Sequence, residues 1–318
     1  MRTNILAVVA CWLPLLTHPA GFAQQPSYRS KIAIFDLRLR TTTVIHEGDG
    51  IIEAPNWSRD GKHLLVNSRG DLYRIAPAQG AKLEKLELGA GGYRCNNDHD
   101  YSRDGRWLAF SASSAQSRQS QVYVSKADGT DVRLLTPMAP SYFHGWSPDG
   151  KWLAFVGQRN GKYELFRVPF EGGPEVRLTS AGAYDDGPDY SPNGKWIYFN
   201  SNRGGGWDIW RIPASGGGDK DKLAERVTND EWEDWFPHPS PDGKSMVLIS
   251  FPKGTEGHNG RMEGMALRLA KMPGSKAAVK NVETLTIFFG GQGSFNVNSW
   301  SPDSKRFGYV IYELARRE

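Results

Sequence analysis

The sequence predicts an all-β fold, a six-bladed β-propeller built from four-stranded antiparallel blades. A Ser-Pro-Asp-Gly turn or a close variant occurs six times, and successive copies are separated by 44, 45, 44, 49 and 61 residues. Short segments rich in aromatic and β-branched residues flank each copy, and such segments favour strands. A repeat of about 45 residues with strand-like flanks is typical of blades arranged around a central axis.

The repeated turn provides the register of each blade. Its copies begin at Trp57, Tyr101, Trp146, Tyr190, Pro239 and Trp300. Proline fixes φ early in such a turn, and Asp-Gly suits the later positions. Because aspartate in a turn accepts hydrogen bonds from nearby backbone amides, we expect the turn aspartates to be structural. They are Asp60, Asp104, Asp149, Asp242 and Asp303.

The unit 141–179 shows the four strands of one blade most clearly. Strand-like runs cover residues 142–146, 152–156, 163–168 and 175–179, and turn-forming residues separate them. The other copies of the repeat have the same order of strands and turns, except that one strand-like segment follows the last turn, at Trp300. Four antiparallel strands in about 45 residues make one propeller blade.

The two ends of the chain are predicted to close the ring. Strand-like segments at 31–36 and 42–45 precede the first turn, whereas only one segment, 306–312, follows the last turn. The end segments together complete a sixth blade, which leaves no open sheet edge in the ring. No shift in composition divides residues 24–318, and we predict that they form a single propeller domain.

The first 23 residues have the pattern of a signal peptide. Arg2 is followed by a mostly apolar run at 5–16, and Gly21-Phe-Ala ends in a small residue before Gln24. Two alternatives stay open, an uncleaved N-terminal anchor and a lipoprotein modified at Cys11. Cleavage would give a periplasmic or secreted protein that makes no contact with the membrane.

Composition narrows the classes of partner. The chain has 39 Lys and Arg against 35 Asp and Glu, and loss of Arg2 with the leader leaves 38 − 35 = +3. This charge is too small for a nucleic-acid footprint. Only Cys95 would remain after cleavage, so no intramolecular disulfide is expected.

Several strings within the repeats resemble TolB-type propellers, whose repeats are also described as WD40-like. They are Tyr142-Phe-His-Gly-Trp-Ser-Pro-Asp-Gly, Asp185-Asp-Gly-Pro-Asp-Tyr-Ser-Pro, Asp234-Trp-Phe-Pro-His-Pro-Ser-Pro and Gly290-Gly-Gln-Gly-Ser-Phe-Asn. The resemblance covers nearly all of residues 24–318. More specifically, these strings resemble those of stand-alone bacterial TolB-like propellers. TolB itself carries a further N-terminal α/β domain that engages envelope partners, and this sequence leaves no room for it.

Residues just before each turn differ between the repeats, and this difference predicts the site. The first strand of each blade should line the central channel and end at the Ser-Pro-Asp-Gly turn, so the opposite face, the top face, holds the converging strand starts. Polar residues there indicate a pocket. With residues from the neighbouring top-face segments, the predicted ligand-binding set is Glu53, Asn97, His99, Tyr142, His144, Asp186, Asp189, Trp235, His238, His258, Arg261, Gln292 and Asn296.

Loops between second and third strands add to the top face. The fifth blade has a long segment between Phe251 and Met265, which we expect to act as a lid or binding loop. Arginines in the corresponding regions of other blades are candidate rim cations for an anionic ligand, with solvated or inter-blade charges as the alternative. They are Arg69, Arg118, Arg159 and Arg203.

Three functions fit this pocket. His99, His144 and His238 form a candidate set for one divalent metal ion, since imidazole suits such ions. Histidine with paired carboxylates also suits acid–base chemistry on a glycan, by a lyase or hydrolase, with catalytic residues unassigned. The third function, which we favour, is binding of a small polar ligand, a carbohydrate, without turnover. A periplasmic scaffold for a protein partner is a further alternative.

Overall fold

The computed structural model describes residues 27–315, which form a six-bladed ring of antiparallel sheets. The predicted propeller is therefore confirmed over these residues. The predicted signal peptide and its two alternatives lie outside the described residues. Within residues 27–315, no helix is long and apolar enough to span a membrane.

Twenty-three strands make up the ring. The N-terminal pair is β1 (Tyr28–Asp36) and β2 (Thr41–Asp49). Blade one contains β3 (Ile52–Trp57), β4 (Leu64–Ser68), β5 (Asp71–Ile75) and β6 (Glu84–Leu86). Blade two contains β7 (Arg94–Tyr101), β8 (Trp107–Ser113), β9 (Gln121–Lys126) and β10 (Arg133–Leu134). Blade three contains β11 (Ser141–Trp146), β12 (Trp152–Arg159), β13 (Lys162–Pro169) and β14 (Val176–Arg177).

The remaining blades follow in the same order. Blade four contains β15 (Asp185–Tyr190), β16 (Trp196–Ser201), β17 (Asp208–Pro213) and β18 (Glu225–Arg226). Blade five contains β19 (Glu233–Pro239), β20 (Ser245–Phe251), β21 (Arg261–Lys271) and β22 (Val282–Gly291). Blade six contains β23 (Arg306–Leu314) together with β1 and β2. Two short 3₁₀ helices cover Asp219–Asp221 and Gln292–Ser294.

The ring closes through the two ends of the chain. Strand β1 pairs antiparallel with β23 along its whole length, from Tyr28 opposite Leu314 to Asp36 opposite Arg306. Strand β2 then pairs on the outer side of β1. First strands of neighbouring blades contact each other around the axis, as β7 does with β11 and β15 with β19. The predicted closure is thus confirmed.

The innermost segment of blade six departs from the prediction of a regular strand. Residues 295–300 make only an isolated bridge, between Trp300 and Phe307. The Asn298 side chain accepts a hydrogen bond from the Trp300 amide at 3.3 Å. Side chains of this kind compete with the backbone ladder, and here the side chain replaces part of it.

The long spacing in blade five has a different origin from the one predicted. Strand β21 begins at Arg261, so the loop after β20 covers only residues 252–260. The remaining extra residues lengthen β21 and β22, which contain 11 and 10 residues. Arg261 therefore lies on a strand, whereas His258 lies in the loop.

The six repeated turns are held by side-chain hydrogen bonds. In blade three, the Ser147 hydroxyl donates to Asp149 Oδ1 at 2.6 Å, and Asp149 accepts from the Lys151 amide at 3.1 Å. The Trp152 amide donates to Ser147 Oγ at 2.9 Å. In blade two, the Ser102 hydroxyl bond contributes most to lowering the pKa of Asp104 to about 2. These bonds confirm the structural role predicted for the turn aspartates.

Candidate functional site

Bulges in the inner strands aim side chains into the channel. The ladder register shifts between Asp186 and Asp189 in β15, where Gly187 has a φ of +60°. A Cβ on Gly187 would lie 2.7 Å from the Phe236 ring, so glycine is required there. Residues three apart on a regular strand point to opposite faces, whereas the bulge lets both aspartates reach other blades.

The upper end of the channel contains a polar cavity of about 300 Å³, which we call the upper pocket. First-strand starts and the 252–260 loop line it, as expected for the top face. Its residues are Asn96, Asn97, Asp98, Tyr142, His144, Val156, Tyr163, Tyr184, Asp186, His258, Asn259 and Gln292. Six of them belong to the predicted set, namely Asn97, Tyr142, His144, Asp186, His258 and Gln292.

Asp186 connects three blades at the upper pocket. His144 Nε2 lies 3.2 Å from Asp186 Oδ1, and His258 Nε2 lies 3.7 Å from Asp186 Oδ2. The Gly187 amide donates to Asp186 Oδ1 at 2.8 Å. All three ionisable side chains are buried. The blade-four carboxylate is thus within hydrogen-bond distance of the blade-three imidazole and in a longer electrostatic contact with the blade-five imidazole.

The two imidazoles have opposite pKa shifts. Burial lowers the pKa of His144, but the Asp186 hydrogen bond and the nearby carboxylates reverse this and raise it overall. Burial lowers the pKa of His258, and the attraction of Asp186 only partly offsets it. Burial would raise the pKa of Asp186, yet the two histidines and the Gly187 amide hold it below its ordinary value. His144 is therefore the more easily protonated of the pair.

A second carboxylate, Asp98, lies at the same pocket. Asn296 Nδ2 donates to Asp98 Oδ1 at 2.7 Å and to the Asn97 carbonyl at 3.0 Å. Gln292 Nε2 in turn donates to Asn296 Oδ1 at 3.2 Å. Burial raises the pKa of Asp98 to about 6, against the opposing effect of His144. Asn296 consequently positions Asp98 from below, although it does not line the pocket itself.

Aromatic rings support the loop over the pocket. The rings of Trp235 and His258 are 4.2 Å apart, and Trp207 lies 3.9 Å from Trp235. Trp235 is fully buried, so it packs beneath His258 and is not available to a ligand. Tyr163 and Tyr184, whose ring centroids are 4.9 Å apart, are half-buried and form the aromatic wall of the pocket.

A second polar layer, the lower network, lies nearer the repeated turns. His238 Nδ1 lies 3.1 Å from Asp189 Oδ2, and Asn298 Nδ2 donates to the same oxygen at 2.9 Å. Asn56 Nδ2 donates to the Asn298 carbonyl at 2.7 Å and to Asp100 at 2.6 Å. These groups are buried. Asp189 and His238 therefore join blades four, five and six and do not line the upper pocket.

The predicted metal set is not assembled. His99 is fully buried, neither ring nitrogen has a hydrogen-bond partner, and burial lowers its pKa to about 3. His144 and His238 pair with different aspartates. The register shift in β7 falls between Cys95 and His99, whereas that in β11 falls between Phe143 and Gly145, so His99 and His144 are not equivalent. Among residues 27–315, no three His, Cys, Asp or Glu side chains are placed to hold a metal ion.

Glu53 and Arg261 lie outside the upper pocket. They pair at 2.7 Å and line a larger cavity between blades six, one and two. The candidate rim cations also divide: Arg159 pairs with Glu175 at 2.9 Å, and Arg203 with Asp185 at 2.8 Å. Arg159 and Arg203 therefore form structural ion pairs.

The other six residues that line the upper pocket are not in the set predicted from the sequence, namely Asn96, Asp98, Val156, Tyr163, Tyr184 and Asn259. Asp98 occupies the bulge position of β7, which was not counted with the positions beside it. Tyr184 lies just before β15, and Tyr163 lies early in β13. A wider search of top-face segments for tyrosines would have found both.

Comparison with known proteins agrees with the geometry. The TolB beta propeller domain family matches residues 136–266. The uncharacterized protein Atu1656 of Agrobacterium fabrum is 42% identical over 298 residues, which cover 94% of this chain and 96% of that protein. A solved structure from Agrobacterium tumefaciens, assigned as TolB, has a TM-score of 0.83 at 42% identity and covers 91% of this chain and 100% of that one. TolB from Acinetobacter baumannii shares the fold, with a TM-score of 0.53 at 18% identity over 81% of this chain and 66% of that one.

The ring and its polar upper end define a six-bladed β-propeller with a channel-mouth pocket. The sequence identity and coverage of the Agrobacterium relatives define the family to which the chain belongs. The chain belongs to the TolB-like propeller family.

Proposed function

We propose that this chain is an exported TolB-like propeller that binds a small polar ligand, a carbohydrate, in the upper pocket. The observation that carries the proposal is Asp186, which holds His144 and His258 beside a cavity of about 300 Å³. Carboxylate, imidazole and amide groups offer both donors and acceptors, which sugar hydroxyls need.

The shape of the upper pocket supports a ligand of one or two sugar rings. Its volume is at the lower end of the range of about 300–1,000 Å³ for small-molecule sites. Tyr142, Tyr163 and Tyr184 line one side, and aromatic side chains can pack against the apolar faces of sugars. Asn97, Asn259 and Gln292 supply side-chain amides on other parts of the wall.

Export is proposed from the leader-like residues 1–23. A charged start, an apolar run and a small-residue cleavage pattern are features of secreted proteins. In this proposal the mature protein works in the periplasm or outside the cell. Carbohydrates of the cell envelope or the surroundings are accessible ligands there.

A second candidate function is turnover of the carbohydrate in the same pocket. The favouring observation is that one carboxylate holds two imidazoles whose pKa values shift in opposite directions. Groups whose surroundings separate their pKa values are suited to act as acid and base. In this alternative, protonated His144 would donate a proton and neutral His258 would accept one.

The test compares Asp186→Asn with Asp60→Asn, a matched change on the opposite face. Calorimetric titration of the purified protein with a panel of neutral oligosaccharides should identify a ligand. Asp186→Asn should weaken its affinity at least about tenfold, which corresponds to the loss of one charge-assisted hydrogen bond. Asp60→Asn should leave affinity unchanged.

The outcomes separate the candidate functions. Equal affinity in both variants, or no ligand in the panel, would contradict the pocket proposal. Mass analysis of the bound oligosaccharide after long incubation distinguishes binding from turnover. A shorter or unsaturated product that His144→Gln fails to form would favour the enzyme, whereas recovery of intact ligand favours binding.

A further inference from the structure

A larger cavity of about 1,480 Å³ lies between blades six, one and two on the top face. Four arginines line it, namely Arg29, Arg69, Arg94 and Arg261. We call it the arginine groove. It receives side chains from β1, from the β4–β5 turn, from the start of β7 and from the start of β21.

The four arginines differ in how their charge is compensated. Arg29 lies 3.3 Å from Glu47, and Arg261 lies 2.7 Å from Glu53. Arg69 and Arg94 are exposed, and the described part of the chain gives neither a carboxylate within ion-pair distance. Of the lining acids, Glu53 and Glu313 are themselves paired, which leaves Asp49. Among residues 27–315, two groove arginines without an ion-pair partner therefore face one such carboxylate.

The backbone at Arg69 has a conformation that disfavours arginine. Arg69-Gly70 is the two-residue turn between β4 and β5, with φ values of +55° and +91°. The matching turn of blade three is Asn160-Gly161, with φ values of +52° and +77°. Asn-Gly is the preferred pair for such turns, whereas arginine at positive φ is unfavourable. Blade one thus carries a cation at the turn position where blade three has asparagine.

The chain segments that carry Arg69 and Arg94 lie side by side. The Cys95 amide donates to the Gly70 carbonyl at 2.8 Å, which ties the residue after Arg94 to the residue after Arg69. A Cβ built on Gly70 would lie 3.7 Å from the guanidinium carbon of Arg94. At this edge of the groove the Arg94 side chain lies over Gly70, and the Arg69 guanidinium lies against Gly50, where a built Cβ would be 3.4 Å from Arg69 Nη2.

The arginine groove adjoins the upper pocket. Asn96 lines both cavities, and it lies between Arg94 on one side and Asn97 and Asp98 on the other. A ligand longer than one sugar ring can therefore extend from the polar pocket to the two arginines. Guanidinium groups recognise carboxylates in a bidentate manner.

We propose that Arg69 and Arg94 bind a carboxylate of an acidic oligosaccharide whose neighbouring sugar occupies the upper pocket. This proposal rests on the proposed carbohydrate function and specifies the class of ligand. It predicts a preference for uronic-acid oligomers over neutral oligomers of the same linkage.

The experiment uses two trisaccharides that differ only by oxidation at C6, cellotriose and cellotriouronate. Calorimetric titration should give cellotriouronate an affinity at least about tenfold higher at low salt, and the difference should shrink as salt rises. Arg69→Asn and Arg94→Gln should each lower the affinity for cellotriouronate about tenfold while leaving that for cellotriose unchanged. Arg106→Asn, on the turn face, is the matched control.

The Arg69→Asn variant also separates binding from folding. Asn-Gly is the preferred turn pair, so the melting temperature of this variant should be up to about 2 °C higher than that of the wild type and should not be lower. A fall in melting temperature with unchanged affinity would assign Arg69 to the fold and overturn the inference.

The remaining outcomes separate this inference from the pocket proposal. Equal affinity for both trisaccharides, sensitive to Asp186→Asn, would overturn the arginine inference and leave the pocket. If the affinity for cellotriouronate falls in Arg69→Asn but is unchanged in Asp186→Asn, the result would support the arginine site and contradict binding in the upper pocket. Hexaglutamate serves as an acidic ligand that is not a saccharide. If neither trisaccharide binds, or if only hexaglutamate binds, the assignment of a saccharide is overturned.

Discussion

The upper pocket and the lower network are built from the same inner strands but differ in how their polar groups are satisfied. In the lower network, Asp189 accepts from Asn298 and lies against His238, and Asn56 links Asn298 to Asp100. In the upper pocket, Asp186 holds two imidazoles that also face an open cavity. Most polar atoms of the lower network bond one another and so fix the ring, although Asn56 Oδ1 and His238 Nε2 have no partner. Polar groups beside a cavity are available to a ligand.

Removing Asp189 should have the largest effect on stability. Asp189→Ala would leave the His238 and Asn298 side chains buried without their acceptor, and it would leave a space in the channel. Losing one member of a buried ionisable pair costs about 3 kcal/mol of unfolding free energy. Urea unfolding measures this loss, and ligand affinity in the folded fraction should be unchanged. A stable variant with lost affinity would place Asp189 in the binding site instead.

Replacing His99 should have a smaller effect of opposite sign. His99 is fully buried and neither ring nitrogen has a partner, so its polar atoms lose hydration on folding. His99→Leu should therefore raise the unfolding free energy by about 1 kcal/mol. A large fall in stability, or loss of ligand binding, would show that the imidazole makes a contact that this structure does not contain.

The same variant gives a pH-dependent effect, which should be smallest at neutral pH. The pKa of His99 is lowered to about 3 in the folded protein, so the unfolded chain binds its proton first as pH falls below about 6.5. The wild type should lose stability from this group between about pH 6.5 and pH 3. The advantage of His99→Leu should grow over that range. A constant difference between the two proteins would contradict the lowered pKa.

The sequence predicted the ring because its determinants are local. Each turn contains its own Ser-Asp hydrogen bond, as Ser147 and Asp149 show, so the repeat is visible without tertiary information. Closure by β1 and β23 followed from counting strands. The inner segment of blade six escaped prediction because Asn298 bonds the backbone locally, a competition that spacing does not reveal.

The candidate site could be predicted only in part because bulges decide which layer a residue joins. Asp186 and Asp189 were singled out together, yet the bulge at Gly187 directs one to the upper pocket and the other to the lower network. His99 and His144 occupy the same position relative to their turns, and different register shifts separate them. Such shifts depend on contacts between blades, as the Phe236 ring against Gly187 illustrates.

A crystal structure with the oligosaccharide identified by titration tests the central claim most directly. We expect a sugar ring in the upper pocket, with a hydroxyl within hydrogen-bond distance of Asp186, His144 or His258. A ligand bound elsewhere on the propeller, with all three of these side chains out of contact with it, would contradict the account.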